Sequence, residues 1–428
     1  QISEDRSEVL NSGLAANLEM PHPVFIDRGA GCYVYDADDN RYIDTSIGFG
    51  LHMLGHVHPV VEAAIAERVP KGWMFGIHST SQMKLARLLL DASPCAERVV
   101  FCNTGSEATM YAFRAARGFS GKDKIALFDG FYHGAHDYGM WAADPQSPLD
   151  APLPMPLGNG IPHVLQDLTL LLPYRNPAAF DLIRAHKEEL ALVFVEGVQS
   201  SNPQPDAGEF LAELRAVCDE CNVLFGIDEV ITGFRVAYGG AQERFDVRPD
   251  IATYGKVVGG GLPVGAITGR ADLMEVFTGI GARGGIFSGG TFSGNPLTME
   301  AGAAAVGYLC EHPEIYTDLE RRGERLAQSV NGFCAAHGIP AQMKQVGSMF
   351  HMFFQAGPLH SSRDVHARNI AAEKGFYLHC LNRGVLVPGT QRAFLSAVHD
   401  DGVIDELIDV FCMSLADVHA EGLFEDRA

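Results

Sequence analysis

The 428-residue chain lacks any run of about 18 consecutive apolar residues, so the sequence predicts no membrane-spanning helix. It is also poor in basic residues. Its 32 lysines and arginines stand against 53 aspartates and glutamates, which gives a formal net charge of −21. An acidic surface repels phosphate backbones and anionic lipid headgroups. We therefore expect neither nucleic acid nor a membrane surface as a partner.

The cysteines show no sign of a disulfide framework, because the nine of them are irregularly spaced. Cys218 and Cys221 form a CxxC, but they lack the nearby second pair of cysteines or histidines that a zinc site needs. The first residues are polar and acidic, unlike a secretory signal. These features favour reduced thiols in a cytoplasmic protein without a bound metal. The missing initiator methionine suggests trimming, or excision from a longer protein.

A chain of this length predicts two or three structural units. The opening region YVYDADDNRYID alternates apolar and polar residues around an Asp-Asn turn, which predicts a β-hairpin. Long helical patterns and short strands follow the central region. We predict an N-terminal segment at 1–65, a large α/β domain at 66–305 and a C-terminal part at 306–428. The two ends are expected to form one small domain.

Short apolar runs alternate with helical stretches in the central region. The runs lie at 99–102, 125–128, 191–197, 223–230, 251–256 and 264–269. Uninterrupted apolar strands between helices are typical of a mostly parallel sheet that is covered on both faces. Ligands of such sheets bind beyond the carboxyl ends of the strands. The residues that follow each run are therefore the candidates for function.

Three of these strand ends carry distinct chemistry. Gly105 and Ser106 open a helix, where backbone N–H groups favour a phosphate, although capping by Ser106 alone is the structural alternative. Asp228 ends an apolar run, where a carboxylate needs a partner such as a protonated pyridine nitrogen, a salt bridge or a helix cap. Lys256 stands at a strand mouth before a glycine-rich turn. Its amine can form an imine if its pKa is lowered, although a plain surface lysine also fits.

Together the three strand ends supply a phosphate cradle, a pyridinium partner and an imine-forming amine, in that order along one domain. Around them stand the motifs NTGSEA, FYHG, DEVITGFR, GKVVGGGLPVGA and GGTFSGNP, with GHVHP and FLSAVHDD near the two ends. With these motifs the sequence resembles the class III (subgroup II) aminotransferases of pyridoxal-phosphate fold type I. Within that family it is most similar to the glutamate-1-semialdehyde aminomutase branch.

The resemblance implies pyridoxal 5'-phosphate as the cofactor and a homodimer as the assembly. It also implies a large domain with a mostly parallel seven-stranded sheet, plus a small α+β domain built from both chain ends. Lys256 would hold the cofactor as a Schiff base and shuttle protons. Asp228 would keep the pyridine nitrogen protonated, which makes the ring an electron sink. Gly105 and Ser106 would bind the phosphate.

Six further positions are implied at the cofactor by the same resemblance, and among them Tyr132 would act with the catalytic residues. The six are Tyr132 on one ring face, Val230 on the opposite face, His133 beside Tyr132, Gln199 near the ring hydroxyl, Glu196 as a supporting acid, and Thr291, which would reach the phosphate of the neighbouring subunit.

The C-terminal region bears on the type of reaction. The aminomutases carry a glutamate there, whereas this chain has Arg392 in its place, or Gln391 if the gap is shifted by one residue. A guanidinium binds a carboxylate bidentately and keeps its charge. The pattern favours ping-pong transfer from an amino donor to a carbonyl acceptor. The loop 144–167 departs from the aminomutase pattern and is expected to shape the pocket, with Trp141 lining it.

Two alternatives to an aminotransferase stay open at this point. One is an intramolecular aminomutase, and the other is a non-catalytic protein that binds the cofactor. Retention of both Asp228 and Lys256 argues against the second alternative. The identity of the donor and of the acceptor does not follow from the residues.

Overall fold

The computed structural model describes residues 24–279, 285–366, 368–388 and 392–425. The chain divides into two compact units. The smaller unit takes its described residues from 1–58, 318–358 and 367–428, and the larger unit combines 59–317 with 359–366. Within the described ranges, none of the helices is both long and apolar enough to span a bilayer. All nine cysteines are free thiols.

The strands are numbered in chain order. They are β1 (Ile26–Ala30), β2 (Tyr33–Asp36), β3 (Arg41–Asp44), β4 (Arg98–Cys102), β5 (Lys124–Phe128), β6 (Trp141–Ala143), β7 (Pro154–Pro156), β8 (Thr169–Leu172), β9 (Leu190–Glu196), β10 (Leu224–Asp228), β11 (Ile251–Gly255), β12 (Gly265–Gly269), β13 (Gln342–Val346), β14 (Met349–Phe353), β15 (Val385–Leu386) and β16 (Arg392–Phe394).

The helices are numbered in the same way. They are α1 (Ile47–Gly50), α2 (Pro59–Arg68), α3 (Thr80–Ala92), α4 (Gly105–Ser120), α5 (Ala178–His186), α6 (Gly208–Cys221), α7 (Gly240–Arg244), α8 (Ala271–Met274), α9 (Pro296–Glu311), α10 (Glu314–His337), α11 (Ser362–His366), α12 (Ile370–Asn382) and α13 (Asp401–Ala420). In α1 the backbone φ is positive at every residue, so α1 is a left-handed turn.

The larger unit is built on a seven-stranded sheet with the order β4-β12-β11-β10-β9-β5-β8. The inner strands pair in parallel, and β12 alone among the seven is antiparallel to its neighbours. The prediction of a mostly parallel seven-stranded sheet is confirmed. All six predicted apolar runs form strands. β8 was not among them, because a four-residue leucine-rich run does not distinguish a strand from part of a helix.

The core of the larger unit lies on both faces of this sheet. In β9, Leu192 and Phe194 pack in one apolar cluster, whereas Val193 and Val195 pack in another. This alternation follows from the two-residue period of a strand. Helix α4 contributes buried alanines and Phe113 to the first cluster, and α6 contributes leucines to the second. Because both faces are covered, β9 carries no polar residue before Glu196.

The smaller unit contains a four-stranded sheet, β1-β2-β3-β15, and a three-stranded sheet, β13-β14-β16. The predicted hairpin is present as β2 and β3, with Val34 opposite Tyr42. β3 pairs in parallel with β15, where Ile43 lies opposite Val385. Both chain ends therefore contribute to one sheet, which confirms a small α+β unit built from the two ends.

Candidate active site

The first predicted strand end is the turn from β4 into α4. Thr104 caps the helix, because its hydroxyl accepts the N–H of Glu107 at 3.0 Å. The alternative that Ser106 serves as the cap is therefore wrong. The Ser106 hydroxyl instead accepts the N–H of Ala135 at 3.0 Å, from the loop that follows β5. The long helix α4 thus points its positive end at the carboxyl edge of the sheet.

The three predicted strand ends meet at this turn. A Cβ built on Gly105 would lie 2.7 Å from Cγ1 of Val230, which follows β10. A Cβ on Gly255, the last residue of β11, would lie 3.3 Å from the same atom and 3.4 Å from the Cα of Gly105. Only residues without side chains allow this approach. Gly105, Val230 and the residue preceding Lys256 therefore pack against one another.

Asp228 is the last residue of β10 and is 6% exposed. Its carboxylate Oδ1 accepts the N–H of Val230 at 3.0 Å and the hydroxyl of Thr253 at 3.1 Å. Its Oδ2 lies 2.8 Å from Nδ1 of His133, which is 1% exposed. These contacts hold the carboxylate in one orientation and offset the cost of burying it.

The two ring nitrogens of His133 differ in their surroundings. Nε2 of His133 is buried and has no hydrogen-bond partner among the described residues. The ring packs edge-to-face on Phe194 at 4.9 Å between centroids, and its backbone oxygen accepts the hydroxyl of Thr109 at 2.6 Å. His133 is therefore fixed from several sides, with Asp228 as the polar partner of its side chain.

Lys256 follows β11 directly and is half-buried. Its backbone φ is +47°, a left-handed conformation that L-residues with a side chain adopt at a cost. The turn behind it is close-packed, because a Cβ on Gly260 would lie 2.4 Å from the carbonyl oxygen of Ala301. Strained backbone of this kind clusters at functional sites.

The loop after β5 carries Tyr132, which is half-buried. Glu196 braces this loop: its carboxylate accepts the N–H of Tyr132 at 2.9 Å and the N–H of Ser200 at 2.8 Å. Gln199 is 3% exposed, and its side-chain amide lies 3.5 Å from the carbonyl oxygen of Gly130. Glu196 and Gln199 therefore connect the end of β9 to the loop that carries Tyr132 and His133.

Three sequence-predicted residues are not part of this cluster. Trp141 is 2% exposed and packs in the apolar core, with its indole N–H donating to the carbonyl of Asp137 at 2.9 Å, so it does not line a pocket. Thr291 is exposed. Arg392 begins β16 in the smaller unit, opposite His351, and Gln391 lies outside the described residues.

Sequence reasoning missed Glu229. This carboxylate is fully buried and accepts hydrogen bonds from the Thr232 hydroxyl, from the backbone of Ala241 and Gln242, and from the side chain of Gln242. Burial raises the pKa of Glu229 above its usual value. The signal that was available is the second acid at the end of an apolar strand, since two adjacent buried carboxylates each need their own donors. Glu229 fixes the turn that follows Asp228.

Comparison with known proteins agrees with this geometry. The sequence profile of the family Aminotransferase class-III matches residues 14–418.

The chain belongs to the class III aminotransferases.

A glutamate-1-semialdehyde 2,1-aminomutase from Methanocaldococcus jannaschii is 37% identical over 96% of this chain and 97% of that protein. Two solved structures are similar in fold and sequence. An omega-transaminase from Sphaerobacter thermophilus has a TM-score of 0.89 at 30% identity, covering 97% of this chain and 96% of that one. A β-phenylalanine aminotransferase from Variovorax paradoxus has a TM-score of 0.85 at 31% identity, covering 97% and 93%.

Class III aminotransferases are pyridoxal-phosphate enzymes, and this chain is an enzyme of that transaminase type. The residues present fit the cofactor. Gly105 packs on Val230 without a side chain, so the backbone N–H groups at the start of α4 are not covered by one. Such N–H groups at a helix N-terminus bind a phosphate favourably. Asp228 offers a buried, oriented carboxylate, which is the partner that a pyridinium nitrogen needs. A lysine follows the adjacent strand.

Proposed function

We propose that this protein transfers an amino group between two molecules, from an amino acid or amine donor to an aldehyde or ketone acceptor, in a ping-pong sequence. The proposal is carried by the C-terminal sequence, which has Arg392, or Gln391 if the gap is shifted by one residue, where the resemblance to the aminomutases implies a glutamate. A guanidinium binds carboxylates bidentately and keeps its charge, which suits amino acid donors and oxo acid products.

When bound, pyridoxal phosphate supplies an electron sink for the negative charge that develops at the substrate Cα. We assign the groups of this chain to the steps around it. The Nζ of Lys256 would take the proton from the substrate Cα and deliver it to C4′ of the cofactor, acting as general base and then as general acid. Asp228 supplies the negative charge beside the ring nitrogen, and His133 keeps that carboxylate in place.

The remaining assignments concern positioning. We assign Tyr132 and Val230 to the two faces of the ring, Gly105 and Ser106 to the phosphate, and Gln199 to the ring hydroxyl. Glu196 acts indirectly, because both of its carboxylate oxygens are engaged by backbone N–H groups of the surrounding loops. We therefore assign Glu196 to positioning the backbone of Tyr132 and not to substrate contact.

We propose a homodimer as the functional assembly. Five large apolar side chains near the predicted subunit contact are exposed by half or more: Trp73 by 52%, Phe75 by 50%, Ile77 by 82%, Phe287 by 67% and Phe292 by 63%. Exposure on this scale is typical of a surface that another protein covers. These side chains fall in two segments, 73–77 and 287–292. The residues that follow the two segments are close together, since a Cβ on Gly294 would lie 2.7 Å from the side chain of Gln82. Thr291 lies in the second segment, where a second copy would bring it to the neighbouring phosphate.

The second candidate is an intramolecular 1,2-aminomutase, which is the activity named for the relative from Methanocaldococcus jannaschii at 37% identity. The two functions differ in what leaves the enzyme. The holoenzyme is mixed with single amino donors, and released oxo acid is measured together with the absorbance of the bound cofactor. An aminotransferase releases one oxo acid per site without any acceptor. Isomerisation of a 1,2-aminoaldehyde, with no donor giving oxo acid, would instead establish the aminomutase.

A further inference from the structure

A cavity of about 370 Å³ lies in the larger unit, at the carboxyl ends of β5, β8 and β9. This is the ligand-binding edge of an open parallel sheet, and the volume is sufficient for a small organic molecule. Its lining includes the polar or aromatic side chains of Asp129, Tyr174, Arg175, Gln199, Ser362 and Arg363. None of them except Gln199 belongs to the site assigned above.

The cavity adjoins the candidate active site. Gln199 lies on its wall and also approaches the carbonyl of Gly130. Asp129, another wall residue, precedes Tyr132 by three positions along the loop after β5, so at most about 11 Å of extended chain separates them. The cavity and Tyr132 therefore lie close together, at the same edge of the sheet.

One wall comes from the segment Leu359–His366, which belongs to the larger unit although the chain on both sides of it does not. The Ser362 hydroxyl donates to the carboxylate of Asp129, and the side chain of Asn202 donates to the carbonyl of Leu359 at 3.3 Å. A Cβ on Gly130 would lie 2.9 Å from that of Ser362. The wall is therefore packed tightly onto the loop that leads to the active site, and the cavity is preformed.

The charges on the wall are not equally satisfied. Asp129 accepts from the N–H of Ala143 and from Ser362. Arg175 is paired bidentately with Asp206. Arg363, which is half-buried, has a different environment.

With described residues, Arg363 donates hydrogen bonds only to neutral oxygens: the backbone carbonyls of Asp144 and Ser147 and the hydroxyl of Ser147. All of these bonds use Nη2. Among the described residues, nothing accepts a hydrogen bond from Nε or Nη1 of Arg363. These two nitrogens are therefore available to a ligand. A half-buried guanidinium that has only neutral partners binds a carboxylate favourably, because the charge-assisted pair replaces weaker contacts.

We propose that this cavity binds the distal end of the amino donor or carbonyl acceptor, and that Arg363 recognises a carboxylate carried there. Leu149, Pro152 and Pro173 line the same cavity and suit the aliphatic chain between the two ends. The substrate class is therefore an amino acid or oxo acid with a second, distal carboxylate. This inference rests on the proposed function and deepens it by naming what the substrate carries away from the reacting carbon.

Arg363 also ties down the 144–147 turn, so its loss could act on activity through that turn alone. The test separates the two effects with substrate pairs of equal length that end either in a carboxylate or in a methyl group, such as glutamate with norvaline and 2-aminoadipate with norleucine. Values of kcat/KM are compared for the wild-type holoenzyme and for Arg363→Gln. Arg184→Gln is the matched control, because it removes an exposed arginine of α5 that pairs with Glu220.

We expect the wild type to prefer the carboxylate member of at least one pair. Arg363→Gln is expected to lower kcat/KM for that member by about 10- to 100-fold, the usual worth of hydrogen bonds to a charged group, and to change the methyl member less than threefold. Arg184→Gln should change neither. An equal loss for both members in Arg363→Gln, or no preference in the wild type, would overturn the inference.

If no donor is turned over, the proposed function is wrong. A binding measurement then still tests the inference about the cavity. Isothermal titration of the holoenzyme with adipate is compared with titration by hexanoate. The inference predicts that adipate binds and that its Kd rises at least tenfold in Arg363→Gln while the Kd of hexanoate does not change. If adipate binds equally to both proteins, or to neither, Arg363 is not a carboxylate site.

Discussion

The imidazole Nδ1 of His133 lies 2.8 Å from Oδ2 of Asp228, and both side chains are almost fully buried. The two residues are 95 positions apart: His133 lies in the loop after β5, and Asp228 is the last residue of β10. The contact completes the set of donors that orient the carboxylate, together with the N–H of Val230 and the hydroxyl of Thr253. A carboxylate that cannot rotate presents a fixed negative charge to a ring nitrogen.

The first prediction concerns this pair. His133→Phe keeps an aromatic ring against Phe194 but removes the hydrogen bond to Asp228, so the carboxylate gains rotational freedom. We expect kcat to fall about 10- to 100-fold and the affinity for pyridoxal phosphate to fall as well, because hydrogen bonds to charged groups contribute about 1.5–3 kcal/mol. Steady-state kinetics and titration of apoenzyme with the cofactor measure the two effects. His312→Phe, at an exposed site, is the control. An unchanged kcat in His133→Phe would show that the pair only packs the core.

The second prediction concerns the approach of α4 to the β10 turn. Gly105→Ala places a methyl group 2.7 Å from Cγ1 of Val230, so one of the two elements must shift. Overpacking of this kind costs about 1–3 kcal/mol, and we expect weaker cofactor binding because the shifted backbone is the proposed phosphate cradle. Urea unfolding and cofactor titration measure both.

Two further variants control that experiment. Gly307 lies inside α9, and a Cβ built on it would meet no other atom within 4 Å, so Gly307→Ala should leave cofactor binding unchanged and stabilise the protein by up to about 1 kcal/mol. Val230→Ala combined with Gly105→Ala removes the clashing methyl groups and should recover part of the loss. If the double variant is no better than Gly105→Ala, the contact with Val230 is not the cause.

The third prediction concerns pH. His399 is fully buried in the smaller unit, its Nδ1 accepts the N–H of Ser396 at 3.0 Å, and burial lowers its pKa to about 4. Because the folded-state pKa lies below the unfolded value of about 6.5, the unfolded chain binds the proton more tightly. The contribution of neutral His399 to the free energy of unfolding is complete above pH 6.5 and is lost as the pH falls towards 4. The free energy of unfolding should therefore decrease over that window.

His399→Gln tests this assignment, since the amide oxygen can accept the same N–H without titrating. We expect the slope of unfolding free energy against pH between 6.5 and 4 to be smaller in this variant by up to about 1.4 kcal/mol per pH unit. His312→Gln removes an exposed histidine and serves as the control. An unaltered slope in His399→Gln would mean that other groups cause the acid sensitivity.

Local pattern predicted much of this molecule, and long-range contact explains what it did not. β9 was predicted because its six residues before Glu196 are all apolar, as a strand covered on both faces requires. Asp228 and Lys256 stood out because a charged side chain at the end of an apolar strand needs a partner. The bracing of Tyr132 by Glu196 joins residues 64 positions apart, so no local window contains it. The prediction that Trp141 lines the pocket differs from the structure for a related reason. An indole beside a polar loop has the same sequence signature whether it faces a pocket or, as here, the core.

The last prediction concerns Lys256 itself, whose φ of +47° sets it apart from ordinary strand-end residues. Lys256→Ala removes the amine proposed to hold the cofactor and to move the proton. We expect borohydride treatment to attach the cofactor covalently to the wild type and not to the variant, and kcat to fall by at least about 10²-fold, the lower range for loss of a general acid–base group. Lys84→Ala, which removes an exposed lysine paired with Glu300, should behave as the wild type in both measurements. A covalent adduct that persists in Lys256→Ala would place the amine elsewhere. A lost adduct with unchanged kcat would leave Lys256 as an anchor and remove it from proton transfer.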